Sequence, residues 1–154
     1  MAAETVRVSE QLWQAATAAK RAEYRALAAE VRGEELFPRR ALRRVVVDAD
    51  DRTLTFALFE ASGLPELVLV PRATLQVVLD EYASIIHRLE EEGPHTARAE
   101  ALDHAKKVVH DVGARKLGEI APELCGSLDL YRKVFSLIVA VVVGGPKIDW
   151  SAAH

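Results

Sequence analysis

Between Val45 and Leu89 the hydrophobic period of the chain changes from two to about 3.6 residues. That change restricts the chain to a fold in which a small sheet is covered by helix. In the run TLTFALF, Leu54, Phe56 and Leu58 alternate with Thr53, Thr55 and Ala57, as a half-buried strand requires. Val45, Val46 and Val47 precede it across the turn-forming cluster DADDR, and ASGLPE leads on to LVLV at Leu67 to Val70. Three short strands joined by short turns predict an antiparallel meander over residues 42–71, with one face in need of cover. The cover follows at once. From Pro71 onward, Leu75, Val78, Leu79, Tyr82, Ile85, Ile86 and Leu89 recur at helical spacing until Gly93 and Pro94 end the run.

The flanking segments read as helix. SEQLWQAATAAKRAEYRALAAEVRG predicts one helix from about Leu12 to Arg32, with Ser9 as N-cap, Gly33 as stop, and a shallow stripe through Tyr24, Leu27, Ala28 and Val31. A further helix is expected from about Ala97 to Gly118. The last begins after Ser127, with Asp129 in its first turn, and ends at Gly144-Gly145-Pro146. Its VAVVV end is rich in β-branched residues, which leaves helix and strand both open over 136–143. The expected class is α+β: an N-terminal helix (1–36), a three-stranded antiparallel meander (42–71), three helices packing on the sheet (72–143) and a tail (144–154). At 154 residues this is one domain, large enough to bury a core without disulfide or metal.

Hydrophobic residues make up 50% and charged residues 28%, which is globular rather than disordered. A net charge of −3 gives the whole chain no electrostatic pull toward nucleic acid or acidic lipid. MAAETVRVSE carries an acidic residue at position 4 and no apolar core behind it. The longest apolar run, Val134 to Val143 with Ser136 interrupting it, is far short of the roughly 20 residues that span a bilayer. With Cys125 as the single cysteine, the expectation is a cytoplasmic chain without membrane attachment.

The chemistry concentrates in LDHAKKVVHDVGARKL, Leu102 to Leu117. On a wheel of about 100° per residue, Asp103, Lys107 and His110 share one face with Lys106 beside them. Ala101, Ala105, Val108, Val109 and Val112 take the opposite arc, which the wheel marks as the packed side. Asp103 stands three and four residues before Lys106 and Lys107, the spacing of helix-supporting ion pairs. Read by spacing alone, this is a solvated face.

The order of Asp80-Glu81-Tyr82, EALDHAKKVVHDVGARKL and LDLYRKVFSLIVAV resembles a family of short uncharacterised proteobacterial proteins of unknown function. Its pattern is a D-x-x-[RK]-[RK]-x-x-H-N-E-x-x-x-x-L segment followed by a helix of the type D-x-x-x-R-[RK]-L-F-x-L. Asp80, Tyr82, Asp103, Lys106, Lys107, His110, Leu117, Asp129, Arg132, Lys133, Phe135 and Leu137 match, over roughly the last two thirds of the chain. The resemblance implies a shared fold and a cross-helix polar network of Asp103, Lys106, Lys107, His110 and Arg132, in which Asp103 and His110 position Arg132. Asp111-Val112 stands where the family has Asn-Glu, and lysines replace most of its arginines. That departure implies one carboxylate fewer and no two-pronged guanidinium grip.

A second charged feature is PRRALRR. Arg39, Arg40, Arg43 and Arg44 gather at the entrance to the first strand of the meander, where they either protect a strand edge or hold an acidic partner or phosphate. No aromatic residue is interleaved for base stacking. His104 and His110 are six apart, no metal spacing occurs, no cofactor motif is found, and nothing local activates Cys125. The expectation is a non-catalytic interaction or adaptor protein whose partner is another protein, itself included. The alternatives are nucleic-acid binding through the arginine cluster, and an enzyme using His110, Asp103 and Arg132.

Overall fold

The computed structural model describes residues 5–31, 42–61, 63–93, 96–122 and 127–143. Gly33, Arg39, Arg40, Cys125 and the Gly144-Gly145-Pro146 stop lie outside the described residues. The elements run β1 (Thr5–Val8), α1 (Glu10–Ala15), α2 (Ala18–Ala29), β2 (Leu42–Ala49), β3 (Thr53–Glu60), β4 (Glu66–Pro71), a 3₁₀ turn at Arg72–Thr74, α3 (Gln76–Glu91), α4 (Ala97–Ile120) and α5 (Leu128–Val142). The chain is α+β, with the predicted antiparallel meander β2-β3-β4 followed by three helices.

The meander closes as the alternation requires. Asp50 shapes its first turn by accepting the N–H groups of Arg52 and Thr53 at 2.8 and 2.7 Å, and these bonds hold its carboxyl below the ordinary range. Val45 faces Leu58 and Val47 faces Phe56, and on the other side Phe56 faces Val68. All five are buried, so one face of the sheet is core. The outer face carries Arg44, Val46 and Asp48 from β2, Thr55, Ala57 and Phe59 from β3, and Leu67 and Leu69 from β4.

Two features of the N-terminal third differ from expectation. A fourth strand, β1, joins the sheet parallel to β2, pairing Val6 with Val45 and Val8 with Val47. Four residues with only two apolar side chains carry too little periodic signal to stand out in a sequence. The single helix expected over residues 12–32 is two helices. Ala16 is extended, and Thr17 caps α2 by accepting the Lys20 N–H at 3.1 Å. The alanine-rich composition hides this break, because alanine fits either side of it without penalty.

The last helix, α5, is the centre of the molecule. Leu130, Val134, Phe135, Leu137, Ile138, Ala140 and Val141 are all buried, and it touches α2, α4 and β2. Ser127 caps it by accepting the Leu130 N–H at 3.2 Å. Its valine-rich end is helical through Val142, which settles the helix-or-strand question over that segment. Asp129, Arg132, Lys133 and Ser136 form one polar stripe along it, and the rest of its surface is apolar and packed, which overrides the weak helical preference of valine. Each of its large side chains contributes about 1.5–3 kcal/mol by leaving water.

The candidate polar groove between α3, α4 and α5

Helix α4 reaches α5 through small residues. Gly113, Ala114 and Leu117 form its buried stripe, and a Cβ built on Gly113 would stand only 2.6 Å or less from three ring atoms of Phe135. Of the arc Ala101, Ala105, Val108, Val109 and Val112 that the wheel marks as packed, Ala105 and Val109 are partly buried. Ala101 is exposed, and Val108 and Val112 are each 49% exposed. The helix is rolled so that the side bearing His110 and Ala114 points inward. Hydrophobicity misreads it, because the tightest contact is made by a residue with no side chain.

The roll carries His110 between two aromatic rings. Its imidazole meets Phe135 edge-on at 5.2 Å and Tyr82 of α3 at 6.0 Å, centroid to centroid. Nε2 lies 2.8 Å from Ser136 Oγ, and the Ser136 hydroxyl donates to the Arg132 carbonyl at 3.1 Å. A hydroxyl has one hydrogen, so the tautomer consistent with both bonds carries its proton on Nε2 and donates it to Ser136 Oγ. Nδ1 is left with a lone pair and no hydrogen-bond partner among the described residues. Burial, aided by the charges of Arg132 and Lys106, pushes His110 below its ordinary pKa, against the opposing pull of Asp111. The ring is therefore neutral at pH 7. Burial, with the charge of Asp103, pushes the Tyr82 hydroxyl up, so it stays protonated.

Arg132 projects from α5 and grips Asp111 of α4 with two prongs, Nε to Oδ1 at 2.7 Å and Nη2 to Oδ2 at 3.2 Å. That pair holds the Asp111 carboxyl below its usual range. The expected network is thus divided. Asp103 makes its ion pairs within its own helix, 3.6 Å from Lys106 Nζ and 3.3 Å from Lys107 Nζ. It does not position Arg132; Asp111 does. Asp111, at the departure from the family pattern, supplies the two-pronged grip that this departure implies is absent. Spacing gives no signal for this, since Asp111 stands about 100° around α4 from His110 and its partner comes from another helix. Ser136 was visible only as an interruption in an apolar run, yet it is the residue that orients His110.

Tyr82, Lys106, Lys107, His110, Asp111 and Arg132 together line a groove of about 420 Å³. No protein-family model, curated protein or solved structure matches this chain.

The arginine cluster is only half described. Arg43 sits exposed at a register irregularity between Leu42 and Arg44. Arg44 lies on the outer face of the sheet, its guanidinium 4.6 Å from the centre of the Phe59 ring. Strand β2 is flanked by β1 and β3, and Arg44 pairs with Thr5, so Arg44 lies inside the sheet rather than on an open strand edge. Arg44 Nε is buried without a hydrogen-bond partner among the described residues. Among those residues, no helix is long and apolar enough to cross a membrane.

Proposed function

We propose that this chain is a non-catalytic protein-interaction protein that pairs with a second copy of itself through the open face of its sheet. The observation that carries this reading is the exposure of Leu67 and Leu69, at 55% and 59%, beside Ala57, Val46 and Phe59 on one continuous surface. An apolar sheet face of this kind belongs against another surface. Charge says which surface. Arg44 and Asp48 flank Val46 at equal distances along β2. A two-fold axis lying in the interface and perpendicular to the strands, through Val46, brings Arg44 of each copy over Asp48 of the other. The resemblance to the short proteobacterial family belongs to the same proposal and names no other partner.

Sedimentation of the purified chain over a range of concentrations tests it. A dimer is expected, and Leu67→Lys combined with Leu69→Lys should yield a folded monomer. Arg44→Asp should weaken the dimer, and adding Asp48→Arg should restore it. A monomer at every concentration, or a dimer indifferent to both pairs of changes, would sink the proposal.

A further inference from the structure

The groove between α3, α4 and α5 lies apart from the sheet face, and pairing of copies does not use it. We infer that it binds the phosphate group of a small phosphomonoester, with the organic part against the Tyr82 ring.

Charge comes first. Lys106, Lys107 and Arg132 bring three cations to the groove and Asp111 one carboxylate, while Asp103, outside the lining, supplies a second to the two lysines. With His110 neutral, one positive charge is left over. Donor capacity comes next. The two ammonium groups stand 3.6 and 3.3 Å from the carboxylate they share, so most of their N–H groups remain available. Arg132 commits Nε and one hydrogen of Nη2 to Asp111, which leaves three N–H groups while fixing the plane of the guanidinium. A cation held in place in this way is preorganised for an oxyanion.

The acceptor narrows the class. Neutral His110 lines the groove, and its Nδ1, without a hydrogen-bond partner among the described residues, offers an acceptor to a ligand that carries a donor. Sulfate and carboxylate bring only acceptors at neutral pH. A phosphomonoester, with a second pKa of about 6, retains a P–OH in part of its population and satisfies both sides. The volume of about 420 Å³ exceeds what a bare phosphate fills and leaves room beside Tyr82.

The test is titration of the full chain near pH 6 with phenyl phosphate, inorganic phosphate and sulfate at matched ionic strength, read on the imidazole NMR signals. Saturable movement of the His110 signals is expected, with phenyl phosphate tightest and sulfate weaker than phosphate by about fivefold or more. The exposed His87 and His104 should show no saturation. Lys106→Gln and Lys107→Gln should each weaken phenyl phosphate by about threefold or more, whereas Lys116→Gln, exposed on the same helix outside the groove, should not. Lys107 is 74% exposed, so its replacement leaves the fold intact. The inference is overturned by any of three results: His110 signals that do not saturate, sulfate or inorganic phosphate binding as tightly as phenyl phosphate, or lysine variants that bind like the parent.

Discussion

His110 shows what a single titratable side chain does when a helix turns it inward. Tyr82, Phe135 and Ser136 enclose it, and Lys106, Arg132 and Asp111 surround it with charge. Its pKa is lowered in the folded protein, so below about pH 6.5 the unfolded chain binds a proton that the folded chain resists. The stability His110 contributes is whole above its unfolded value and is lost as pH falls through that window. The paired carboxylates Asp103 and Asp111 are also lowered, from 3.8, and act only at more acid pH. Denaturant unfolding at about pH 7 and pH 5 should therefore show a loss of stability in the parent and a smaller loss in His110→Gln. Equal losses in the two proteins would mean that burial does not control this ring. The His110 motif was legible in the sequence, but its role was not. The partners Ser136 and Arg132 come from a helix 26 and 22 positions away, and spacing within α4 carries no information about them.

At the scale of elements, legibility followed the size of side chains. The meander and α3 were readable because Leu54, Phe56, Leu58, Leu79 and Ile85 repeat with a clear period and all are buried. The contact between α4 and α5 was not, because Gly113 and Ala114 make it. Apolar residues at the wrong angle, Val108 and Val112, drew the wheel the other way. The same contact yields a sharp expectation. In Gly113→Ala the new methyl has no room beside the Phe135 ring, which is wholly buried and cannot swing into solvent. A loss of about 1–3 kcal/mol is expected by denaturant unfolding, although alanine favours helix intrinsically. Phe135→Leu in the Gly113→Ala background should cost less than Phe135→Leu alone, because the two positions share one space. Strict additivity would show that the helices can move apart freely.

For the molecule as a whole, one face of the sheet is buried as core, and among the described residues the other face keeps Leu67 and Leu69 exposed. The sequence announced the buried face, in the alternation of β3 and in the apolar run of α5. It did not announce β1. Thr5 pairs with Arg44, so the parallel strand joins its neighbour only after a long stretch of chain has been closed, whereas β2, β3 and β4 are linked by turns of a few residues. The two halves of the sheet therefore form on different schedules. The meander can assemble from residues adjacent in the chain, while the edge strand must wait for distant segments to meet, at the entropic cost of a long loop. Val6→Ala is expected to speed unfolding while leaving the folding rate nearly unchanged, as the two limbs of a chevron would report. A slowed folding limb would place β1 in the nucleus instead. Because Ser9, immediately after β1, both caps α1 and donates to Asp48 at 2.7 Å, that late closure also sets α1 in place. The N-terminal edge is then the part expected to open first and most often, a latch on a body that is already built, and hydrogen exchange at Val6 and Val8 would show it.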